Sequence, residues 1–269
     1  MISDLEADRV VEGVFAVKSK RRSQTKGGAP YLALELVDSS GHIDARVWKD
    51  VELLDGRFAE GDAVRVLGRV EKFRDRLQLD VRTLEATDVD PATLTPTLRR
   101  DAPELQGFLE FLIEEISHPG LATTVRAVLA DRDLASYPAT FDDHHSYAGG
   151  LLEHTVGVAT LCRETAQLHP RLRSELVLAA ALVHDVGRTI ELTRGPAFTP
   201  TEEGRLLGHV HLGLRLIEER AEGLTAGQLA ELLHCVAVHH DLRAARTAEA
   251  AVVYHSNQLD ASAATRPTG

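Results

Sequence analysis

The sequence predicts a two-domain protein in which an N-terminal all-β barrel precedes an all-α helical bundle. Its 269 residues exceed the usual size of a single domain. From Val10 to Glu85 the apolar residues mostly alternate with polar ones, which is the period of strands. After a proline-rich stretch they recur at spacings of three and four residues, which is the period of helices.

The strands of the predicted barrel are clearest in the alternating segments 31–37, 63–70 and 77–81. Between strands, residues 26–30, 38–41 and 60–62 are rich in the Gly, Pro, Ser and Asp typical of turns. About five strands joined by such turns suit a closed barrel of the OB type. We place this barrel at residues 1–87.

Residues 88–103 contain three prolines and many small polar residues without a sustained period, and we interpret them as a linker. The helical bundle then occupies residues 104–269. Its predicted helices are Glu104–Ile116, Leu121–Ala130, Gly150–Leu168, Glu175–His184, Glu202–Arg220, Ala226–His239 and Ala248–Ala264.

Composition and charge limit the classes of function. The formal net charge of −11 argues against indiscriminate binding of polyanions, although local clusters of Lys and Arg can still contact phosphates. The sequence has no apolar run long enough to span a bilayer, and we expect no membrane association. Its N-terminus lacks the pattern of a secretory signal, so we expect a cytoplasmic protein. Cys162 and Cys235 lie in apolar helical patterns without a CxxC partner, which indicates buried thiols.

A buried helix that ends in a carboxylate is the first indication of a metal site. Residues 176–183 are apolar on every side of a helix and run directly into His184 and Asp185. An unpaired carboxylate in such surroundings costs several kcal/mol, so a basic partner or a cation has to neutralise Asp185. The adjacent His184 is a common metal ligand, which favours a cation.

Further histidines fall on the inner faces of other predicted helices. His154 shares the apolar stripe of its helix, and His239 and His240 follow the apolar stripe of theirs. His209 lies on an apolar face, whereas His211 shares a face with charged residues, so only His209 is expected to point inward. Together with the aspartate, these histidines outline a two-metal site in which one carboxylate bridges two ions and a polarised water attacks phosphorus.

The order of these residues resembles the HD phosphohydrolase superfamily, and the later histidines resemble its two-metal branch. The most specific segments are 144–155 (HHSYAGGLLEHT), 184–187 (HDVG), 207–210 (LGHV) and 239–241 (HHD). In this order, and behind an OB-type barrel, they are similar to the YhaM-type 3′-5′ exoribonucleases over nearly the whole chain. The resemblance implies a single-stranded RNA substrate and two divalent ions held by His154, His184, Asp185, His209, His239 and His240.

Two positions depart from the pattern of this family. Arg188 stands where the family usually has Lys; both are cations, and we expect Arg188 to be catalytic with Asp185 and to contact the substrate phosphate, as His145 would. Asn257 stands at the usual last acidic ligand, and its amide oxygen is a neutral, weaker ligand. Asp260, three residues on and near the same helical face, is the alternative ligand at this position.

The densest basic run of the chain falls in what we interpret as the first long loop of the barrel. It contains Lys18, Lys20, Arg21, Arg22 and Lys26. OB barrels bind single strands with such loops and with aromatic side chains on one sheet face. The candidate nucleic-acid-binding residues outside the run are Tyr31, Trp48, Phe73 and Arg74. The alternatives are a solvated basic loop and aromatic side chains buried in the barrel core.

The sequence therefore predicts a metal-dependent 3′-5′ exonuclease acting on single-stranded RNA, with single-stranded DNA as a further candidate substrate. Histidine-rich ligation suits Mn²⁺ first and Fe²⁺ or Co²⁺ next, whereas Mg²⁺ prefers oxygen ligands. One alternative is an HD phosphohydrolase of free nucleotides or cyclic dinucleotides. Another is a nucleic-acid-binding protein whose metal site has degenerated at Asn257. The oligomeric state is not predicted by the sequence.

Overall fold

A computed structural model describes residues 1–74, 76–94, 101–141, 144–194 and 197–265. The chain divides into two compact units, Met1–Thr97 with Arg194–Phe198 and Leu98–Thr193 with Thr199–Gly269. The residue-level boundaries of barrel, linker and bundle stay predictions, and linker residues 95–100 lie outside the described residues. The described part of the linker contains a 3-10 turn over Pro91–Leu94, and the first bundle helix begins at Ala102.

The first unit contains a closed five-stranded barrel, which confirms the predicted fold class of this part. Its elements are β1 (Val10–Gln24), β2 (Pro30–Asp38), β3 (Gly41–Val47), α1 (Val51–Asp55), β4 (Ala63–Phe73) and β5 (Arg76–Ala86). The strand order is β1-β2-β3-β5-β4, with β3 and β5 parallel and the other neighbours antiparallel. Leu32, Leu34 and Leu36 of β2 point into the core, where burial stabilises the fold by about 2 kcal/mol for each such side chain.

Four of the five basic residues of the run lie in a strand and not in a loop, so the prediction of a loop is wrong for this part of the sequence. Strand β1 continues to Gln24 and pairs Lys20 with Leu34 and Arg22 with Leu32 of β2. Charged residues occupy both sides of this part of β1, so the alternation of apolar and polar residues that marks a strand is missing. On the inner side, Lys20 and Arg22 contact polar groups at the end of α1. Lys26 alone of the five lies in the turn between β1 and β2.

The second unit is an all-α bundle, which confirms the predicted class of the C-terminal part. Its helices are α2 (Ala102–Glu114), α3 (Pro119–Leu129), α4 (Gly150–Leu168), α5 (Ser174–Val183), α6 (Arg188–Glu191), α7 (Glu202–Arg220), α8 (Ala226–Ala237) and α9 (Ala248–Thr265). Residues 176–183 of α5 are all buried, as their apolar sequence predicts. The one-turn helix α6 was not predicted, because four residues are too few to show a period.

The two cysteines of the chain belong to the buried core of the bundle. Cys162 and Cys235 are buried free thiols, as predicted, and burial raises the pKa of each to about 12. Among the residues that the structure describes, no helix is both long and apolar enough to cross a membrane.

Helix α7 is interrupted one residue before His209. Gly208 has φ of 71° and ψ of 159°, a left-handed conformation that glycine adopts without steric cost. His209 therefore lies at the start of a new helical segment. Within that segment His211 points roughly 200° away from it, because a helix turns once per 3.6 residues.

Candidate metal centre and nucleic-acid interface

Asp185, directly after α5, lies between two sets of histidine side chains. The carboxylate is 3% exposed. Its Oδ1 is 3.2 Å from Nε2 of His209 and 3.4 Å from Nε2 of His239. Its Oδ2 is 3.8 Å from Nε2 of His154 and 3.7 Å from Nε2 of His184. One carboxylate thus presents each of its oxygens to a different pair of imidazoles.

The nitrogen and oxygen atoms around Asp185 form two overlapping groups. Group A consists of His154, His184 and Asp185, and group B consists of Asp185, His209, His239 and His240. Within each group, the ligand atoms all lie within 4.8 Å of one another. These residues come from α4, from α7 and from the segments that follow α5 and α8. The bundle thus brings together the six residues that the resemblance implies as ligands.

The hydrogen bonds of two buried histidines, His184 and His239, show that these groups fit a cation. Nδ1 of His184 donates to the carbonyl of Ala181 at 2.7 Å, and Nδ1 of His239 donates to the carbonyl of Val236 at 2.6 Å. With Nδ1 used in this way, Nε2 of each ring faces Asp185 and is the nitrogen available to a metal. Nε2 of His239 and Oδ1 of Asp185 are buried, and neither has a hydrogen-bond partner among the described residues. Electron pairs that face one another in this way require a divalent metal ion or a proton between them.

The electrostatics of the centre keep its ligands in the form that binds metal. Burial by itself raises the pKa of Asp185, but Arg188, His184 and His209 outweigh it, and the pKa lies well below its ordinary value. Burial lowers the pKa of His184 to about 3 in spite of the neighbouring carboxylate. At neutral pH the aspartate is therefore ionised and this histidine is neutral, as metal coordination requires.

Glu191, at the end of α6, is a residue of the site that the sequence reasoning missed. Its carboxylate accepts a hydrogen bond from Nη1 of Arg188 at 2.6 Å and another from the backbone N–H of His209 at 3.2 Å. Burial raises the pKa of Glu191. The hydrogen bonds and charges of His209 and Arg188 lower this pKa by more than burial raises it, so the carboxylate is ionised. Its spacing of three residues from Arg188 was the available signal, because residues three apart share a helical face.

Arg188 lies beside the metal centre, where a substrate contact was predicted. Its side chain is 14% exposed, and Nε is 3.8 Å from Oδ2 of Asp185. This Nε is buried and has no hydrogen-bond partner within the described part of the chain. Glu191 holds the other end of the guanidinium, so Arg188 presents a fixed positive charge next to group A.

Of the three remaining predicted residues, His145 and Asp260 form a third group with His154 that could hold a cation, and Asn257 makes a contact of its own. Nδ2 of buried Asn257 donates to the carbonyl of His239 at 3.3 Å, which ties α9 to the backbone of a ligand residue. Asp260 lies behind His154, with Oδ2 2.7 Å from Nδ1 of that ring. His145 uses both ring nitrogens within the protein, toward Asp260 and Tyr147. A ligand role for Asn257 or Asp260 and a phosphate contact by His145 stay predictions.

On the barrel, the strand register sorts the basic run by face. Arg21 lies opposite Ala33, and Ala33 lies opposite Arg46, so these three side chains share the outer face of β1, β2 and β3. Tyr31 is on the same face, with its ring centroid 4.8 Å from that of Trp48. Trp48 is 46% exposed. We call Arg21, Tyr31, Arg46 and Trp48 the outer aromatic patch.

The neighbouring basic residues are engaged inside the barrel unit. Nζ of Lys20 donates to the carbonyl oxygen of Asp55 at the end of α1 and to that of Phe58 in the following loop, and the side chain is 14% exposed. Lys18 pairs with Glu35 at 3.1 Å, and Arg22 pairs with acidic residues of α1. Lys20 and Lys18 therefore stabilise the barrel, whereas exposed Arg21 and Lys26 form no ion pair among the described residues.

Phe73 and Arg74 are separate from the outer aromatic patch. They lie at the tip of the β4–β5 hairpin, where Phe73 is 57% exposed and the guanidinium is 5.3 Å from its ring centroid. The register of β3 and β5 places this tip beyond the Gly41 end of β3, whereas Trp48 follows the Val47 end. The predicted aromatic residues thus form two exposed sets at opposite ends of β3.

Comparisons with known proteins agree with this arrangement. The model of the HD domain family matches residues 151–262, and the model described as an OB-fold nucleic acid binding domain matches residues 14–86. A curated 3′-5′ exoribonuclease YhaM from Oceanobacillus iheyensis is 30% identical over 85% of this chain and 75% of its own. Those from Bacillus velezensis and Listeria monocytogenes are each 28% identical, over 95% and 88% of this chain and 86% and 78% of theirs.

The fold and the site together define a hydrolase class in which an HD domain with a histidine and aspartate centre follows an OB-type barrel. Within this class, the chain belongs to the family of YhaM-type 3′-5′ exoribonucleases.

Proposed function

We propose that this protein is a metal-dependent 3′-5′ exonuclease that removes nucleotides from the 3′ end of single-stranded RNA. The observation that carries the proposal is Asp185, whose two oxygens each face a different group of histidine nitrogens, with Oδ1 of Asp185 and Nε2 of His239 buried and without a hydrogen-bond partner among the described residues. The 3′-5′ polarity and the RNA substrate come from the names of the curated relatives. The family relationship supports this function over hydrolysis of free or cyclic nucleotides.

Two divalent ions, with Mn²⁺ as the first candidate, fit the donor set of the centre. Nitrogen ligands from five histidines favour Mn²⁺, Fe²⁺ or Co²⁺ over Mg²⁺. Bound ions of this kind supply an activated water and neutralise the charge that develops on a phosphate. Group B offers four protein ligands and group A three, which makes group A the more open position for water and substrate.

The side chains of the chain have distinct parts in this proposal. Asp185 holds both groups together, and Arg188 provides a fixed cation beside group A for the scissile phosphate. The outer aromatic patch offers stacking surfaces and the exposed guanidinium of Arg21 to a single strand, while Arg46 beside it contacts Asp44 and the carbonyl of Ala45. Stacking accepts every base, so this patch supports binding that does not depend on sequence.

Digestion of end-labelled oligonucleotides tests the proposed activity. With Mn²⁺ present, a 5′-labelled single-stranded RNA should be shortened one nucleotide at a time, and a 3′-labelled RNA should release labelled mononucleotide at once. A DNA of the same sequence and free nucleotides are run in parallel. Release of internal fragments, or turnover of free or cyclic nucleotides without digestion of RNA, would contradict the proposal. Binding of RNA without any hydrolysis would point to the degenerate-site alternative.

Arg21 and Lys20 provide a matched pair that tests the outer aromatic patch. Arg21→Ala should weaken RNA binding and lower the slope of log affinity against log salt by about 0.7, the value for one lost phosphate contact on a single strand. Lys20→Met should leave that slope unchanged but lower the free energy of unfolding by about 1 to 3 kcal/mol, because two carbonyls lose their donor. Salt-dependent RNA binding and urea unfolding of both variants measure these effects. An unchanged slope in Arg21→Ala would remove Arg21 from the interface.

A further inference from the structure

A chain of hydrogen bonds extends from His154 away from the metal centre. Oδ2 of Asp260 is 2.7 Å from Nδ1 of His154 and 3.0 Å from Nε2 of His145. Nδ1 of His145 is 2.8 Å from the hydroxyl of Tyr147, and that hydroxyl donates to Glu153. We call Asp260, His145, Tyr147 and Glu153 the outer relay. It joins α9, the loop before α4, and α4 itself.

The hydrogen bond between Asp260 and His154 determines which ring nitrogen of His154 carries the proton. An ionised carboxylate only accepts hydrogen bonds, so Nδ1 of His154 has to carry the proton that faces Asp260. The lone pair is then on Nε2, which is 3.2 Å from Nε2 of His184 and belongs to group A.

Backbone features confine this carboxylate to its place. A Cβ atom on Gly157, one helical turn after His154, would lie 2.2 Å from Oδ1 of Asp260, so an added methyl group there would have to displace the carboxylate. His145 has a φ of 49°, which a residue with a side chain rarely adopts. A strained residue that is held by several contacts is typical of functional sites.

We propose that Asp260 is a positioning residue, which fixes the tautomer and ring orientation of His154 for metal binding in group A, and that His145 holds Asp260 in turn. Both residues then act through His154 rather than as a metal ligand and a phosphate contact. The proposal rests on the metal centre of the proposed function. Partners of this kind behind a ligand histidine commonly change metal affinity by about 10- to 100-fold.

The first test compares Asp260→Asn with wild type in metal binding and in tautomer. An asparagine amide can donate to Nδ1, which allows the proton of His154 to move to Nε2. In the metal-free protein, long-range ¹H–¹⁵N spectra should show His154 with its proton on Nδ1 in wild type and partly on Nε2 in the variant. Titration with Mn²⁺, followed by the paramagnetic resonance of the free ion, should show one binding class weakened by about 10- to 100-fold and the other changed little.

Glu249→Gln is the matched control on the same helix. Glu249 is a buried carboxylate that accepts hydrogen bonds from Arg173, and among the described residues it forms no hydrogen bond or ion pair with a histidine of group A or B. This variant should lose stability without change in Mn²⁺ affinity or tautomer. Equal effects of Asp260→Asn and Glu249→Gln on Mn²⁺ binding would reduce Asp260 to a structural role. An unchanged tautomer with a lost Mn²⁺ class would make Asp260 a direct ligand, and either result would overturn the proposal.

Gly157→Ala tests the same idea with the carboxylate retained. The added methyl group should displace Asp260 and weaken the same Mn²⁺ class, although alanine favours helix formation. Gly107→Ala in α2, where an added Cβ meets nothing within 4 Å, should leave Mn²⁺ binding unchanged. Normal Mn²⁺ binding by Gly157→Ala would contradict the proposal. None of these measurements requires RNA, so absence of nuclease activity would contradict the proposed function and leave this inference standing.

Discussion

Replacing Asp185 with asparagine should lower the rate of RNA hydrolysis by at least about a thousandfold, equivalent to about 4 kcal/mol of transition-state stabilisation. Asparagine keeps the size of the side chain but removes the negative charge that groups A and B share. Both groups should lose affinity for Mn²⁺ together, because no other carboxylate belongs to either of them. Single-turnover digestion of labelled RNA and Mn²⁺ titration measure the two effects.

Thermal unfolding separates loss of metal from loss of fold in this variant. Wild-type protein should gain stability on addition of Mn²⁺, by about 2.7 kcal/mol at a hundred times the dissociation constant. Asp185→Asn should gain almost none, while its metal-free stability stays near that of wild type. Asp131→Asn, a surface change that affects an ion pair with Arg220, is the control and should respond to Mn²⁺ as wild type does. If Asp185→Asn retained normal turnover and Mn²⁺ stabilisation, the two-group centre would be wrong.

The metal centre could be predicted from sequence because its signals are local. An entirely apolar helix followed directly by His184 and Asp185 predicts a buried carboxylate that a basic partner or a cation has to neutralise, and that requirement is visible without coordinates. Helical periodicity likewise placed His154 and His239 on inner faces, and both are fully buried. Glu191 was not predicted, because its spacing from Arg188 does not reveal its contact with His209 on another helix. The outer relay was not predicted, because its contacts join residues on different elements.

The barrel shows where sequence patterns are less informative. Lys20 and Arg21 are adjacent and equally basic, yet the first donates to backbone carbonyls of the barrel unit and the second is exposed on its outer face. The difference arises from the alternation of strand side chains, which charged residues on both faces conceal. Asp260 was recognised as important, but spacing on a helix does not reveal whether a carboxylate faces a metal or the far side of a histidine.

The two histidines of α7 give the sharpest test of the centre by helical geometry. His209→Ala should reduce hydrolysis by more than about a hundredfold, because group B loses a ligand atom 3.2 Å from Asp185. This loss exceeds the effect of about 10- to 100-fold expected for a residue that only positions a ligand. His211→Ala should stay within about twofold of wild type, since surface changes away from a site have small effects and His211 is exposed. The same RNA digestion and Mn²⁺ titration, applied to both variants, measure the contrast. Equal losses in the two variants would mean that the break at Gly208 does not direct His209 alone into the centre, and group B would have to be reassigned.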